Sequence, residues 1–294
     1  KPDIGVRAID RALSLSPGKP EWLLQRIECI SAVGDKSAAM ALAQQLLPNP
    51  FDSASMSSQF GYVLTKLGMF EEALPHFQRA CELQPDNSQH FYNVATVHRS
   101  VGDFARATEA LNTCLQLNPD SADTLLMRAG LRKQTRESNN VAELEAAYAR
   151  SKDHPPNRLR VCYALAKELD DIGEFNRAFA YLSEGSELRR QQIQYDPADD
   201  LETMAAIQSS FGADQLRQSV DGHVNAEPIF VIGMPRSGTT LVERVLSHHS
   251  VVQSSGDIVA FSVELLKHCH QVTGPPTVSA MELAKRARSV DFEA

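Results

Sequence analysis

Apolar positions along residues 1–192 recur at helical spacing, and that spacing is itself repeated. Gly61, Gly68, Phe70, Ala73, Phe77, Ala80 and Pro85 are followed 34 positions later by Ala95, Gly102, Phe104, Ala107, Leu111, Cys114 and Pro119. Each block therefore predicts two helices joined at a glycine and closed by a proline. The frame divides the chain at 20–53, 54–87, 88–121, 122 to about 158, and 159–192. The fourth block is irregular, because a polar Arg136-Glu137-Ser138-Asn139-Asn140 turn and a Pro155-Pro156 break lengthen the period by about three residues. The fifth resumes through Gly173, Phe175, Ala178 and Leu182. Run backwards, the frame puts Lys1 inside a repeat, with Ala12 and Pro17 at the small and proline positions, so upstream residues are expected.

A helix-turn-helix period of 34 residues with small and aromatic positions is the signature of the tetratricopeptide repeat (TPR). The small residues let the two helices of a repeat approach, and the aromatics fill the gap to the next repeat. Such repeats bury their faces only by stacking, which predicts an α-solenoid with a concave surface. In most TPR proteins that groove takes a peptide or another protein. Its candidate lining here, on the first helices of repeats, includes Gln59, Tyr62, Asn93, Thr96 and Arg128, and the alternative for each is an ordinary solvated polar position. Cys81 and Cys114 lie at or beside the small position, where cysteine acts as a compact hydrophobe.

The pattern changes after residue 192. An amphipathic stretch around Met204, Ile207 and Phe211 predicts a connecting helix that packs the solenoid against the next domain, followed by a polar lead-in from Asp221 to Glu227. Ile229–Ile232, bounded by Pro228 and Gly233, predicts a buried strand. Leu241, Val242, Val245 and Leu246 then fall at helical spacing. The intervening Gly233-Met234-Pro235-Arg236-Ser237-Gly238-Thr239-Thr240 turns the chain so that backbone N–H groups and a helix N-terminus converge, an arrangement that attracts an anion. Gly233 and Gly238 have the spacing of a phosphate-binding P-loop, but Thr239 stands where that loop has lysine. A nucleotide triphosphatase needs the lysine on its β- and γ-phosphates, which argues against ATP or GTP hydrolysis. The cation here is Arg236, whose fork can hold a phosphate or sulfate in bidentate fashion, and Ser237, Thr239 and Thr240 add hydroxyls.

Pro235 to Leu241 after a hydrophobic run resembles the 5′-phosphosulfate loop of the sulfotransferase superfamily, most closely that of the protein-tyrosine and bacterial TPR-linked sulfotransferases. The resemblance covers residues 228–257. It implies that Pro235, Arg236, Ser237, Gly238, Thr239 and Thr240 bind 3′-phosphoadenylyl sulfate (PAPS) as donor, with no metal, and that a hydroxyl of a protein, peptide or glycan accepts the sulfuryl group. Arg236 and the loop N–H groups would stabilise the bridging oxygen as it gains charge. In the tyrosylprotein enzymes the general base is a glutamate shortly after a glycine. The matching region reads Ser255-Gly256-Asp257-Ile258, which makes Asp257 the candidate base, although it is shorter, about a residue out of register, and equally suited to capping a helix. His248 and His249 are alternative bases, but a histidine at a helix C-terminus is accounted for by the helix dipole alone. Glu243 and Arg244 fit surface or interdomain contacts.

Further on, Val251 and Val252 predict a second short strand, Asp257 opens a helix through Phe261, Leu265 and Leu266 that closes near Gly274, and Ser279 with Glu282 forms a capping box for a last helix carrying Lys285, Arg286 and Arg288. One or two strands with these helices do not close a doubly covered sheet. The expected fold is thus an α-solenoid of TPR hairpins (1–192), a connecting helix and linker (193–226), and the truncated start of an α/β P-loop-like sulfotransferase domain (227–294), the 3′-phosphate site lying downstream.

Charge and cysteine usage narrow the class further. A net charge of −8 disfavours nucleic acid as a general partner. No stretch has the length of a transmembrane helix, and the N-terminus lacks a signal-peptide layout. The five cysteines are scattered and odd in number, which fits a reducing, cytoplasmic compartment better than a disulfide framework. His268-Cys269-His270 has metal-ligand residue types, but residues two apart on a helix face different ways. Three readings stand: a PAPS-dependent sulfotransferase whose TPR array recruits the acceptor or a partner, a TPR adaptor with an inactive sulfotransferase-like segment, and a kinase using a lysine-less phosphate loop.

Overall fold

The structure is a computed structural model that describes residues 2–16, 18–48, 51–213, 225, 227–254, 256, 260–271 and 279–287. The described residues hold fifteen helices and no β-strand, and the chain divides into two compact units, Lys1–Gln194 and Tyr195–Ala294.

The first unit begins with α1 (Pro2–Leu15) and continues as five helix pairs. These are α2 (Pro20–Val33) with α3 (Lys36–Leu46), α4 (Ala54–Leu67) with α5 (Phe70–Leu83), α6 (Ser88–Ser100) with α7 (Phe104–Leu117), α8 (Ala122–Gly130) with α9 (Val141–Arg150), and α10 (Pro155–Asp171) with α11 (Phe175–Gln192). Four of the pairs turn in the same way. Gly34, Gly68, Gly102 and Gly173 follow the first helix at φ 100°, 84°, 84° and 82°, a left-handed conformation that glycine adopts at no steric cost. After Gly68 the Met69 N–H reaches back to the Leu64 carbonyl at 2.9 Å, and after Gly102 the Asp103 N–H does so to His98 at 2.8 Å. Asp103 then caps α7, its carboxylate accepting from the Arg106 N–H at 3.1 Å, so turn and cap occupy consecutive residues.

The periodic small residues sit in the core. Ala73, Ala80, Ala95 and Ala107 are fully buried, as are Phe60, Leu64 and Leu111. Where the first helix carries glycine instead, the second carries a larger group: a Cβ on Gly61 would lie 2.9 Å from the Phe77 ring.

The fourth pair departs from the pattern. Residues 131–140 form a loop between α8 and α9, and both helices pack on α10. Two carboxylates of α10 fasten this loop. Glu168, with no exposed surface, accepts from the Asn140 N–H at 2.6 Å and from its Nδ2 at 2.9 Å. Asp171 accepts from the Gln134 N–H at 2.8 Å and from Lys167 Nζ at 2.6 Å. Bonds to ionised acceptors hold a polar loop more firmly than neutral ones.

In the second unit, α12 (Pro197–Ser210) packs against α15 (Ala280–Ala287), and α15 against α14 (Ala260–Gln271). Ala206, Ala284, Ala287 and Cys269 are buried. Ser279 Oγ accepts from the Glu282 N–H at 3.2 Å, while the Glu282 carboxylate pairs with Arg286. Between α12 and α14 lies α13 (Thr239–Ser247), which buries none of its residues.

Neither expected strand is formed. Ile229, Phe230 and Ile232 are 61%, 81% and 90% exposed and make no sheet hydrogen bonds among the described residues. Val251 and Val252 lie in a turn closing α13, where the Val252 N–H bonds to the His249 carbonyl at 3.0 Å. A strand exists only as one member of a ladder, and the described residues offer these segments no partner.

Candidate functional site

The loop 233–240 is shaped by three unusual backbone positions. A Cβ on Gly233 would lie 2.6 Å from Ser237 Oγ and 2.8 Å from Thr239 Cγ2, so the chain folds back across a residue with no side chain. Arg236 has φ 65°, the one non-glycine residue in the left-handed region among the described residues, and Gly238 follows at φ 95°. A left-handed arginine costs about 1–2 kcal/mol, a strain that tends to be kept at functional sites.

This geometry divides the loop's polar groups into engaged and free. The Ser237 N–H and hydroxyl both donate to the Met234 carbonyl, at 3.1 and 2.6 Å. The Gly238 carbonyl accepts from Leu241 and Val242 at 2.9 and 3.1 Å, starting α13. Among the described residues, the N–H groups of Arg236, Gly238, Thr239 and Thr240 meet no protein acceptor. Pro235, Arg236, Ser237, Gly238 and Thr240 are exposed and Thr239 is half-buried. Free amides at a helix N-terminus beside a guanidinium form a cradle for an anion, open to solvent.

Asp257 lies outside the described residues, as does the side chain of His270. Gly256, just before Asp257, has φ 65° and donates its N–H to Ser254 Oγ at 3.1 Å, while the Ser254 hydroxyl donates to Glu243 on α13. Glu243 thus ties the segment before Asp257 to the helix that follows the loop, a contact its sequence position did not announce. His249 is committed to the turn, its Nδ1 accepting from the Val251 N–H at 3.3 Å, and His248 is exposed. Cys269 is buried, which raises its thiol above the usual range.

In the first unit, Gln59, Tyr62 and Asn93 line one cleft of about 410 Å³ on α4 and α6. Thr96 instead spends its hydroxyl on the Tyr92 carbonyl at 2.9 Å. Arg128 does not line that cleft: 11% exposed, it binds Asn112 of α7 and Glu143 of α9 and cross-links three helices. Ser58, Gln89 and His90 also line the cleft. A signal for Gln89 was present, since it stands four residues before Asn93 and so on the same helix face.

Residues 228–289 match the model of the sulfotransferase family, and residues 54–87 and 91–121 match the tetratricopeptide repeat. The chain thus holds segments that match both the tetratricopeptide repeat and the sulfotransferase family. Among individual proteins, it is similar to an uncharacterized protein of Aquifex aeolicus, 26% identical over 249 residues, which is 83% of this chain and 32% of that one. It is also similar to the human cell division cycle protein 16 homolog, 27% identical over 107 residues, 36% of this chain and 16% of that one. The chain thus spans a third or less of the length of these relatives. BtubC from P. vanneervenii aligns with 67% of this chain and 91% of its own at 16% identity and TM-score 0.48. YrrB, a TPR protein with an unusual peptide-binding site, aligns with 61% and 82% at 18% identity and TM-score 0.38. No helix of the described residues is long and apolar enough to cross a membrane.

Proposed function

We propose that the chain takes part in sulfuryl transfer from PAPS to a hydroxyl of a protein, peptide or glycan, with the TPR array recruiting the acceptor or a partner. The observation that carries this reading is the set of unengaged N–H groups around a left-handed Arg236 at the start of α13. Arg236 and those amides hold the 5′-phosphosulfate, while Ser237, Thr239 and Thr240 supply hydroxyls. As the acceptor oxygen forms its bond to sulfur, the bond to the bridging oxygen breaks and that oxygen keeps the electron pair. Arg236 and the loop N–H groups meet the charge developing there. Asp257 takes the acceptor's proton, with Glu243 and Ser254 holding the preceding turn.

On this reading residues 227–294 are the first part of an α/β P-loop-like domain. Ile229–Ile232 is the surface that neighbouring strands cover, which fits the large exposure of Phe230 and Ile232. Residues 1–192 are the array and 193–226 the connector. Competition binding on the full chain tests the donor: 3′-phosphoadenosine 5′-phosphate is expected to displace PAPS, whereas displacement by ATP with equal strength would favour a nucleotide kinase.

The adaptor reading keeps one observation in its favour, that α13 buries no residue. It predicts normal partner capture by the array and no PAPS binding.

A further inference from the structure

The cleft on α4 and α6 differs in character from the rest of the surface. Its nine lining residues include no Asp, Glu, Lys or Arg, in a chain of which 22% is charged. Two amides stand in equivalent places of consecutive repeats. Gln59 donates to Ser55 Oγ at 3.2 Å, and Asn93 accepts from Gln89 Nε2 at 3.1 Å while donating to Ser58 Oγ at 3.1 Å. Each pair is one helical turn apart, so the amide planes are fixed by their own helix. Gln59 retains an acceptor oxygen and a second N–H, and Asn93 retains a second N–H. Beside them Tyr62 is 52% exposed, with the Lys66 ammonium 4.5 Å from its ring centroid.

A second sign comes from His90. It lines the cleft, is 5% exposed, and has an Nδ1 without a partner among the described residues. Its Nε2 lies 3.2 Å from both Asn87 Nδ2 and Gln84 Oε1. Burial holds its pKa below the ordinary value, which keeps the wall neutral at pH 7.

We propose that this cleft binds a neutral saccharide, through the amides of Gln59 and Asn93 and the ring of Tyr62. A sugar presents adjacent hydroxyls that each donate and accept, which fits fixed amides offering both roles, and an apolar C–H face, which fits an exposed tyrosine. A peptide fits less well, because the lining has no aliphatic recess to take an anchor side chain. That the saccharide is the sulfuryl acceptor rests on the function proposed above.

Calorimetry of the full chain, without PAPS, against neutral cello-, xylo- and manno-oligosaccharides tests the proposal. At least one is expected to bind. Gln59→Ala and Tyr62→Ala, both at exposed positions, are each expected to weaken binding about tenfold with the circular dichroism unchanged. No binding by any of the three sugars, tighter binding of a capped alanine peptide, or an unchanged Kd in both variants overturns it. The same titration on Arg236→Ala is expected to match the wild type. Donor binding can therefore fail while the sugar still binds, and the two readings fail separately.

Discussion

Gly61 and Phe77 form one contact that the next repeat makes with different residues. A Cβ on Gly61 would lie 2.9 Å from two carbons of the Phe77 ring, and both residues are buried. One period later Ala95 and Leu111 occupy the corresponding places, each fully buried. A larger group on one helix is matched by a smaller one on the other.

Gly61→Ala is therefore expected to destabilise the array. Alanine gains up to about 1 kcal/mol of helix propensity, but overpacking against a buried ring costs about 1–3 kcal/mol. Adding Phe77→Leu, which recreates the Ala95–Leu111 pair, should recover part of the loss. Urea unfolding of the two single variants and the double variant measures the coupling, and additive effects would contradict the packing assigned here.

Glu168→Ala leaves two half-buried donors of Asn140 unanswered, and a loss of about 1–3 kcal/mol is expected. Hydrogen exchange should localise the opening to residues 131–141, with the α4–α5 pair still protected. Uniform loss of protection along the array would show that the carboxylate does not act on this loop.

Acid should weaken the array in two stages. His76 packs its ring 4.6 Å from Phe60, and burial lowers its pKa, so the folded state binds fewer protons than the unfolded one. Its contribution is full above about pH 6.5 and fades as pH falls through the lowered folded value. Burial raises Asp171, but the bonds from Lys167 and the Gln134 N–H outweigh it and leave the carboxyl below its ordinary value. Glu184 is likewise lowered: burial is overcome by bonds from Tyr148 and Arg158. Those two contributions are full above about pH 4 and fade below it. Burial lowers His90 in the same way, so thermal unfolding against pH should lose part of the upper stage in His76→Gln and part of the lower stage in Asp171→Asn.

Gly233→Ala is expected to disturb the loop and leave the solenoid alone. Its Cβ would meet Ser237 Oγ and Thr239 Cγ2 inside 3 Å, so the turn must open and its amides diverge. The predicted outcome is a loss of PAPS affinity of about tenfold or more with an unchanged melting temperature for the array.

What the sequence disclosed follows the range of the interactions. Gly34, Gly68 and Gly102 are spaced by one period and mark turns made by local geometry, so the hairpins were legible. The loop after α8 was not, because its fasteners, Glu168 and Asp171, lie 28 and 37 residues from Asn140 and Gln134. Arg128 read as a groove residue since periodicity gives its helix but not its partners Asn112 and Glu143. Ile229–Ile232 has strand composition, yet composition cannot supply the ladder a strand needs. In the loop, the glycine spacing was visible; the left-handed Arg236 and the Glu243–Ser254 tie were not, since both depend on how the chain folds back.

The central claim is that the amides and guanidinium of loop 233–240 bind a phosphosulfate. Calorimetric titration of PAPS into the full chain and into Arg236→Ala measures this directly. The account predicts that the variant loses about a hundredfold or more in affinity while the array unfolds at the same temperature. Equal affinity in the two proteins would contradict it.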